Sequence, residues 1–406
     1  MSFRKLVFWI HLAIGCLAGA IILIMSVTGV LLMYQRQVTN WFDRDLRAAS
    51  PRAGSVRLPM ETVLAGIYSQ KGATPSAITL RADPAAPAEV SYGRNQVFFV
   101  DPYTGSVLGE GSRGIRSFFR TVEDWHRWLG ASNEHRAAAR AVTGACNLGF
   151  LFLVVTGPFL WIPRKWSWQG VRAVLAFRSG LSGRARDFNR HNVIGIWCAA
   201  PLFLIALSGV VMSYPWANNL LYRVTGNEPP AQAARLRPGA SPRQAQRPVG
   251  QAAAEVSLAG FSALWTRAEQ QVPGWQSLTL RLPASRGATT FTIDKGDGGR
   301  PDQRSQLTLN SQTAELVRWE PFSSNNAGRR LRSWSRFIHT GEAGGIAGQT
   351  IAGIVTAGAA MLVLTGILLA FRRLLRSYRK HAKERMPAKA PDQEYAMSGR
   401  RNTFVS

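Results

Sequence analysis

The sequence predicts a membrane protein: a four-helix transmembrane bundle built as a tandem repeat, with two exterior α+β domains. Three observations carry that expectation. Four uncharged, apolar stretches, at 6–34, 141–162, 193–217 and 343–371, each reach the roughly 20 residues an α-helix needs to cross hydrocarbon. The chain as a whole is not apolar, with a mean hydropathy of −0.05, so much of it must face water. The order span, exterior segment, span occurs twice along the 406 residues.

Residues 1–36 hold the first transmembrane helix. It is too long for a signal-peptide core and no small-residue cleavage site follows it, so it reads as a retained anchor. Residues 37–120 form the first exterior domain, with a short amphipathic helix at 59–70, a strand at 77–81 and a hairpin at 97–108. An outer-face helix and the second span occupy 121–163, and a basic loop follows at 164–190. That loop carries Arg164, Lys165, Arg172, Arg178, Arg184, Arg186 and Arg190 against one acid, Asp187. The third span is 191–217. The second exterior domain, 218–333, repeats the first order, with a helix at 254–271, a strand at 276–282 and a hairpin at 307–317. Its segment 229–250 is rich in Pro, Ala, Gln and Arg and reads as a flexible insert. The fourth span is 334–372, and 373–406 is a basic tail.

Clustered arginine and lysine decide orientation. The positive-inside rule places the 164–190 loop, the tail and the N-terminus (with Arg4 and Lys5) in the cytoplasm, and both long segments outside. This accounts for a large part of a net charge of +26 that in a soluble protein would suggest nucleic acid. An even number of spans separates the halves, so they are parallel repeats.

Of six histidines, His11, His126, His191 and His339 each lie at or just beyond one end of a span. Imidazole near lipid needs a partner. His11 is followed by Gly15 and by Thr28-Gly29; His191 is followed by Gly195 and by Ser208-Gly209. The distance from histidine to hydroxyl residue is 17 in both. Thr156-Gly157 and Thr365-Gly366 mark the other two spans. Topology then sorts the rings, with His11 and His191 near the cytoplasmic face and His126 and His339 near the outer face. Two imidazoles per face suit the two axial positions of a haem iron, so all four are candidate haem ligands. Two stacked haems would relay an electron through a core of about 30 Å. There is no C-x-x-C-H, so the haems would be of the b type.

The remaining signals are blander. His135, nine residues beyond His126, is the rival ligand, and His381 in the basic tail reads as solvated. Cys16, Cys146 and Cys198 all fall inside spans, which leaves neither a disulfide framework nor a zinc site and makes them packing residues. The Thr/Ser-Gly pairs read as hydroxyls bonding back to their own helix. Gly15/Gly19 and Gly344/Gly348 let a helix or a flat macrocycle come close. Trp9, Trp125, Trp128, Trp197 and Trp334 read as an interface belt. Gly109-Glu-Gly-Ser-Arg-Gly114 matches a dinucleotide fingerprint, but it follows an antiparallel hairpin and reads as turn glycines. With no other nucleotide or flavin signature, the electron donor must be a separate molecule. No side chain reads as catalytic.

At these residues the chain resembles the PepSY-associated transmembrane family, which includes bacterial iron-regulated inner-membrane proteins and ferrisiderophore reductases. The resemblance covers about residues 3–372. It rests on the His11/Gly15 and His191/Gly195 helix starts, the Asp101-Pro-Tyr-Thr-Gly105 turn, Trp125-His126-Arg127, His339-Thr-Gly-Glu342 and the repeated T-G in the spans. The chain departs from the pattern in carrying Asn310-Ser-Gln-Thr-Ala314 in place of a second D-P-Y-T-G, and in its long insert. The resemblance implies a dihaem membrane reductase with two periplasmic PepSY-like domains in a bacterial inner membrane. Electrons from quinol or a cytoplasmic reductase would pass outward to reduce Fe(III) held by a siderophore and release Fe(II). Alternatives are a PepSY-domain binding or regulatory protein without redox activity, in which the histidines are structural, and a permease, for which no intramembrane carboxylate speaks.

Overall fold

The computed structural model describes residues 2–46, 55–72, 75–93, 95–162, 167–229, 260–282 and 287–385. Nearly all of the expected insert, Arg164, Lys165 and the tail from 386 lie outside the described residues.

Four helices are long and apolar enough to cross a membrane. They are α1 (Phe3–Met33), α5 (His135–Trp161), α7 (Gly183–Ser213) and α11 (Gly345–Arg385). Each packs against two others: α1 touches α5 and α11, and α7 touches the same two, so α1 and α7 take opposite corners. Their outer faces are bare and apolar, with Leu17 85 % and Ile354 67 % exposed. Burying such surface in lipid removes the aqueous exposure that a soluble bundle could not sustain. Between the helices Val154, Leu202, Val355 and Ala359 close an apolar layer, flanked by Phe150, Cys198, Ile205 and Leu362. The three cysteines are unpaired; Cys198 packs beside the apolar layer, whereas Cys16 is exposed on α1.

Two shorter helices precede the second and fourth spans: α4 (Arg113–Trp128) and α10 (Ala327–His339). The sequence predicts an outer-face helix ahead of the second span within 121–163, but a single span over 334–372. In the structure each is separated from the span by a break with left-handed residues, Leu129, Gly130 and Asn133 in one and Gly341 and Gly345 in the other. Such residues end a helix because φ above zero stops the i to i−4 ladder.

Outside the bundle, the two segments each supply one helix and four strands. The helices are α3 (Met60–Lys71) and α9 (Phe261–Gln271). The strands are β1 (Ala77–Arg81), β2 (Ala88–Tyr92), β3 (Gln96–Val100), β4 (Val107–Glu110), β5 (Ser277–Arg281), β6 (Ala288–Asp294), β7 (Arg304–Asn310) and β8 (Leu316–Pro321). The hairpins and β1 and β5 fall where expected; β2 and β6 are additions. The segments are not separate bodies, however. β1 pairs antiparallel with β5, which makes one eight-stranded sheet in the order β4-β3-β2-β1-β5-β6-β7-β8. Alternate residues such as Ile78, Leu80, Leu278, Leu280, Phe291 and Leu307 point to one face and share a single core with Leu64, Ile67, Leu264 and Trp265 of the two helices. On the other face Thr79 and Thr279 meet across the seam, hydroxyl to hydroxyl at 2.9 Å. No β1–β5 pairing of this kind could be read from sequence, because 200 residues separate its partners.

The two hairpin turns have the same construction despite their different sequences. Asp101 Oδ1 accepts from the Tyr103 and Thr104 amides, at 2.7 and 3.3 Å, and Asn310 Oδ1 accepts from Gln312 and Thr313, at 2.8 and 3.2 Å. Both are Asx turns, in which a short polar side chain mimics a backbone acceptor. Gly105 takes φ of 72° and Ala314 takes 56°, so the second turn holds a strained alanine where the first uses glycine. The Gly109–Gly114 segment runs from the end of β4 into the first turn of α4, beside a sheet whose pairings are all antiparallel, so it lacks the βαβ context of a nucleotide site.

Three contacts tie the short helices to one another and to the sheet. Buried Asp43 pairs with Arg116 of α4 at 2.5 Å and accepts from the Ser112 amide. Arg36, on the short helix α2 (Gln35–Phe42), pairs with Asp297 between β6 and β7 at 3.3 Å. Arg304 of β7 lies over the ring of Phe337 in α10, 5.2 Å from its centre.

Candidate functional site: two histidine pairs

The four span-associated histidines point into the bundle, while His135 does not. His135 opens α5 with its side chain 79 % exposed, beside Glu134 at 3.8 Å. His381 lies in α11, but its side chain is outside the described residues.

His126 and His339 come together at the ends of α4 and α10, with ring centres 6.3 Å apart and planes at 66°. A histidine–metal bond is about 2.0–2.1 Å and a ring nitrogen sits about 1.2 Å from the ring centre, so two imidazoles on opposite sides of one metal would have centres about 6.5 Å apart. The observed spacing fits that arrangement. Burial, with a smaller contribution from His339, pushes the His126 imidazole down to about 4, and burial lowers His339 as well. Both rings are therefore neutral near pH 7, which is the form that offers a lone pair to a metal. His11 of α1 and His191 of α7 make the second pair. Their rings lie within electrostatic reach of each other, from opposite corners of the bundle.

Each ring is held at Nδ1 by a hydroxyl from a different helix. His11 meets Thr156 of α5 at 2.8 Å, and His126 meets Thr28 of α1 at 3.0 Å. His191 meets Thr365 of α11 at 3.0 Å, and His339 meets Ser208 of α7 at 3.2 Å. These are the hydroxyls of the four Thr/Ser-Gly pairs. Sequence reasoning took them as bonded to their own helices. They are, with Thr28 donating to the Ile24 carbonyl at 2.6 Å and Thr365 to Met361 at 2.7 Å, and each also meets a histidine. The 17-residue spacing from histidine to hydroxyl was visible in the sequence. Its meaning was not, since the hydroxyl serves the other histidine level rather than its own helix's ring.

The glycine after each hydroxyl lies under the ring. A Cβ at Gly29, Gly157, Gly209 or Gly366 would stand 3.4, 3.9, 3.3 or 3.4 Å from the Cε1 of His126, His11, His339 or His191. Among the described residues no protein group hydrogen-bonds any of the four Nε2 atoms. No cluster of three or more His, Cys, Asp or Glu that could hold a bare metal ion occurs among the described residues. A metal taken by one of these pairs must bring its other ligands with it.

A family model described as the PepSY-associated TM region matches residues 8–373, a span that includes all four histidines and both exterior segments. The chain belongs to the PepSY-associated transmembrane family. Among curated proteins none matches it. In this PepSY-associated protein the exterior sheet also leaves a polar cavity of about 560 Å³, lined by Arg81, Asp83, Glu89, Phe99, Gln276 and Asp297 among others. Its Asp297 is the residue that pairs with Arg36 at the sheet-facing end of the bundle, so the cavity opens beside the junction of sheet and helices.

Proposed function

We propose that the protein is a dihaem transmembrane oxidoreductase of the bacterial inner membrane, built as a duplicated unit. In this reading it carries electrons from quinol or a cytoplasmic reductase to the periplasm and reduces Fe(III) held by a siderophore, with release of Fe(II). The observation that carries the reading is the pairing of four imidazoles, two at each level, with the ring centres of the outer pair 6.3 Å apart. Haem b at each level would supply a one-electron iron couple, and its porphyrin would bring the further iron ligands that the described residues do not offer.

The chain's own residues do the rest. His11 and His191 present Nε2 on the inner level, and His126 and His339 on the outer level. Their Nδ1 sides are fixed by the four hydroxyls. Val154, Leu202, Val355 and Ala359 keep water out of the space between levels, where charge would otherwise be solvated and proton leakage invited. The basic flanks of the spans support a cytoplasmic placement of Arg172, Arg184, Arg190 and Arg372–Arg379, and a periplasmic placement of the sheet. Reduction of the iron weakens its hold on hard oxygen donors, which is the physical route to release.

A visible spectrum of the detergent-purified protein, oxidised and then dithionite-reduced, tests the reading together with a haem assay. Low-spin spectra and two haems b per chain are expected. A colourless protein would instead support a binding or regulatory role in which the histidines only join helices.

A further inference from the structure

We propose that Thr28, Thr156, Ser208 and Thr365 are positioning residues that set the tautomer of the four histidines, holding the proton on Nδ1 and leaving the Nε2 lone pair free. The identity of what Nε2 binds rests on the haem reading above; the tautomer does not.

A hydroxyl has one proton to give. In all four cases a carbonyl of the same helix takes it: Ile24 from Thr28 at 2.6 Å, Phe152 from Thr156 at 2.8 Å, Ile205 from Ser208 at 2.8 Å and Met361 from Thr365 at 2.7 Å. With its proton committed, each oxygen can only accept from the ring, so Nδ1 must be the donor. At His339 the conclusion is independent of the hydroxyl. Its Nδ1 also lies 2.9 Å from the Ile205 carbonyl, and a carbonyl only accepts. The opposite tautomer would leave Nε2–H with no acceptor among the described residues, in a setting where an unpaired donor is costly.

The arrangement does more than choose a proton. Every hydroxyl sits on a helix other than that of its histidine: α5 holds the ring of α1, α1 that of α4, α11 that of α7, and α7 that of α10. The following glycine lies against the ring, and at Gly209 a Cβ would come 3.3 Å from Cε1, closer than an ordinary contact. Ring orientation is thereby coupled to helix packing around the bundle. Groups of this kind, which orient a metal ligand without touching the metal, commonly change metal affinity by about 10- to 100-fold when removed.

The test uses the full-length protein in detergent, labelled with ¹⁵N-histidine and prepared both without and with haem. In the haem-free protein, nitrogen NMR should show all four interior rings protonated at Nδ1. Thr28→Val and Thr156→Val remove the hydroxyl at nearly constant shape, and each should mix the tautomers of one ring. In the haem-loaded protein Thr28→Val should weaken haem retention about 10- to 100-fold at the outer level only, and Thr156→Val at the inner level only. Thr28→Ser, which keeps the hydroxyl, should restore both tautomer and retention. Interior rings protonated at Nε2 in the unmodified protein would overturn the proposal without recourse to any variant. So would valine variants that leave tautomer and retention unchanged. If the unmodified protein takes up no haem, the haem reading fails, while the nitrogen signals still decide the tautomer.

Discussion

The choice between His126 and His135 shows how a single residue is placed. Both lie just before the second span, and sequence spacing alone left them as rivals. His126 ends α4 facing His339, whereas His135 begins the span helix and looks away from it. On the dihaem proposal His126→Ala and His339→Ala should each remove one of the two haems, and His135→Ala none, as read by a haem assay on purified protein. Glycine offers a second, finer test. A Cβ at Gly209 would stand 2.8 Å from Asn147 Nδ2 as well as 3.3 Å from the His339 ring. Asn147 is buried and donates to the Ala206 carbonyl at 3.0 Å, so it cannot retreat freely. Gly209→Ala should therefore cost about 1–3 kcal/mol through overpacking and loosen the outer haem. Gly157→Ala, with only an ordinary 3.9 Å contact, should stay within about 0.5 kcal/mol of the parent in thermal unfolding. The histidines and hydroxyls were legible in the sequence because both recur at fixed spacing. Their cross-helix partners were not, since spacing reports the face of one helix and says nothing of which neighbour it meets.

At the scale of elements, local chemistry was legible and long-range pairing was not. Alternating Val97–Val100 and the Asx turn at Asp101 specify a hairpin by themselves, and so does the Asn310 turn. β2 went unread because its inward residues, Ala88 and Val90, are small and its apolar alternation is correspondingly weak. The β1–β5 seam makes one core from two segments, with Ile78 opposite Leu280 and Leu80 opposite Leu278. Leu280 is fully buried, and Leu280→Ala should destabilise the exterior body by about 2–5 kcal/mol. Because the core is shared, hydrogen exchange in β2–β3 should accelerate together with that in β6–β7. Protection lost only in the strands of the second segment would mean that the two halves unfold independently despite the seam. For the same reason residues 37–120 expressed alone should remain unfolded, as judged by their near-ultraviolet circular dichroism.

At the scale of the whole molecule, the bundle sets a direction. His11 and Thr28 lie on one helix, 17 residues or about 25 Å apart along its axis, and Thr28 holds an outer-level ring. The two levels thus belong to opposite ends of α1. The basic loop is at the end of His11 and His191, and the sheet is at the other. Reporter fusions at Leu80, Leu175, Leu280 and Arg379 should read outside, inside, outside and inside. An external signal at Leu175 would reverse the assignment of both pairs. If the orientation holds, sealed vesicles of known sidedness should reduce an external ferric siderophore with an internal donor. His339→Ala removes a proposed ligand of the outer level only, and His11 and His191 keep their own hydroxyl partners in Thr156 and Thr365. The inner haem should then remain reducible from inside while external iron reduction is lost, because the remaining iron lies most of a bilayer away from the chelate. Undiminished reduction by the His339→Ala protein would show that electrons reach the exterior by a route that does not use the outer pair, and the proposed mechanism would fall with it.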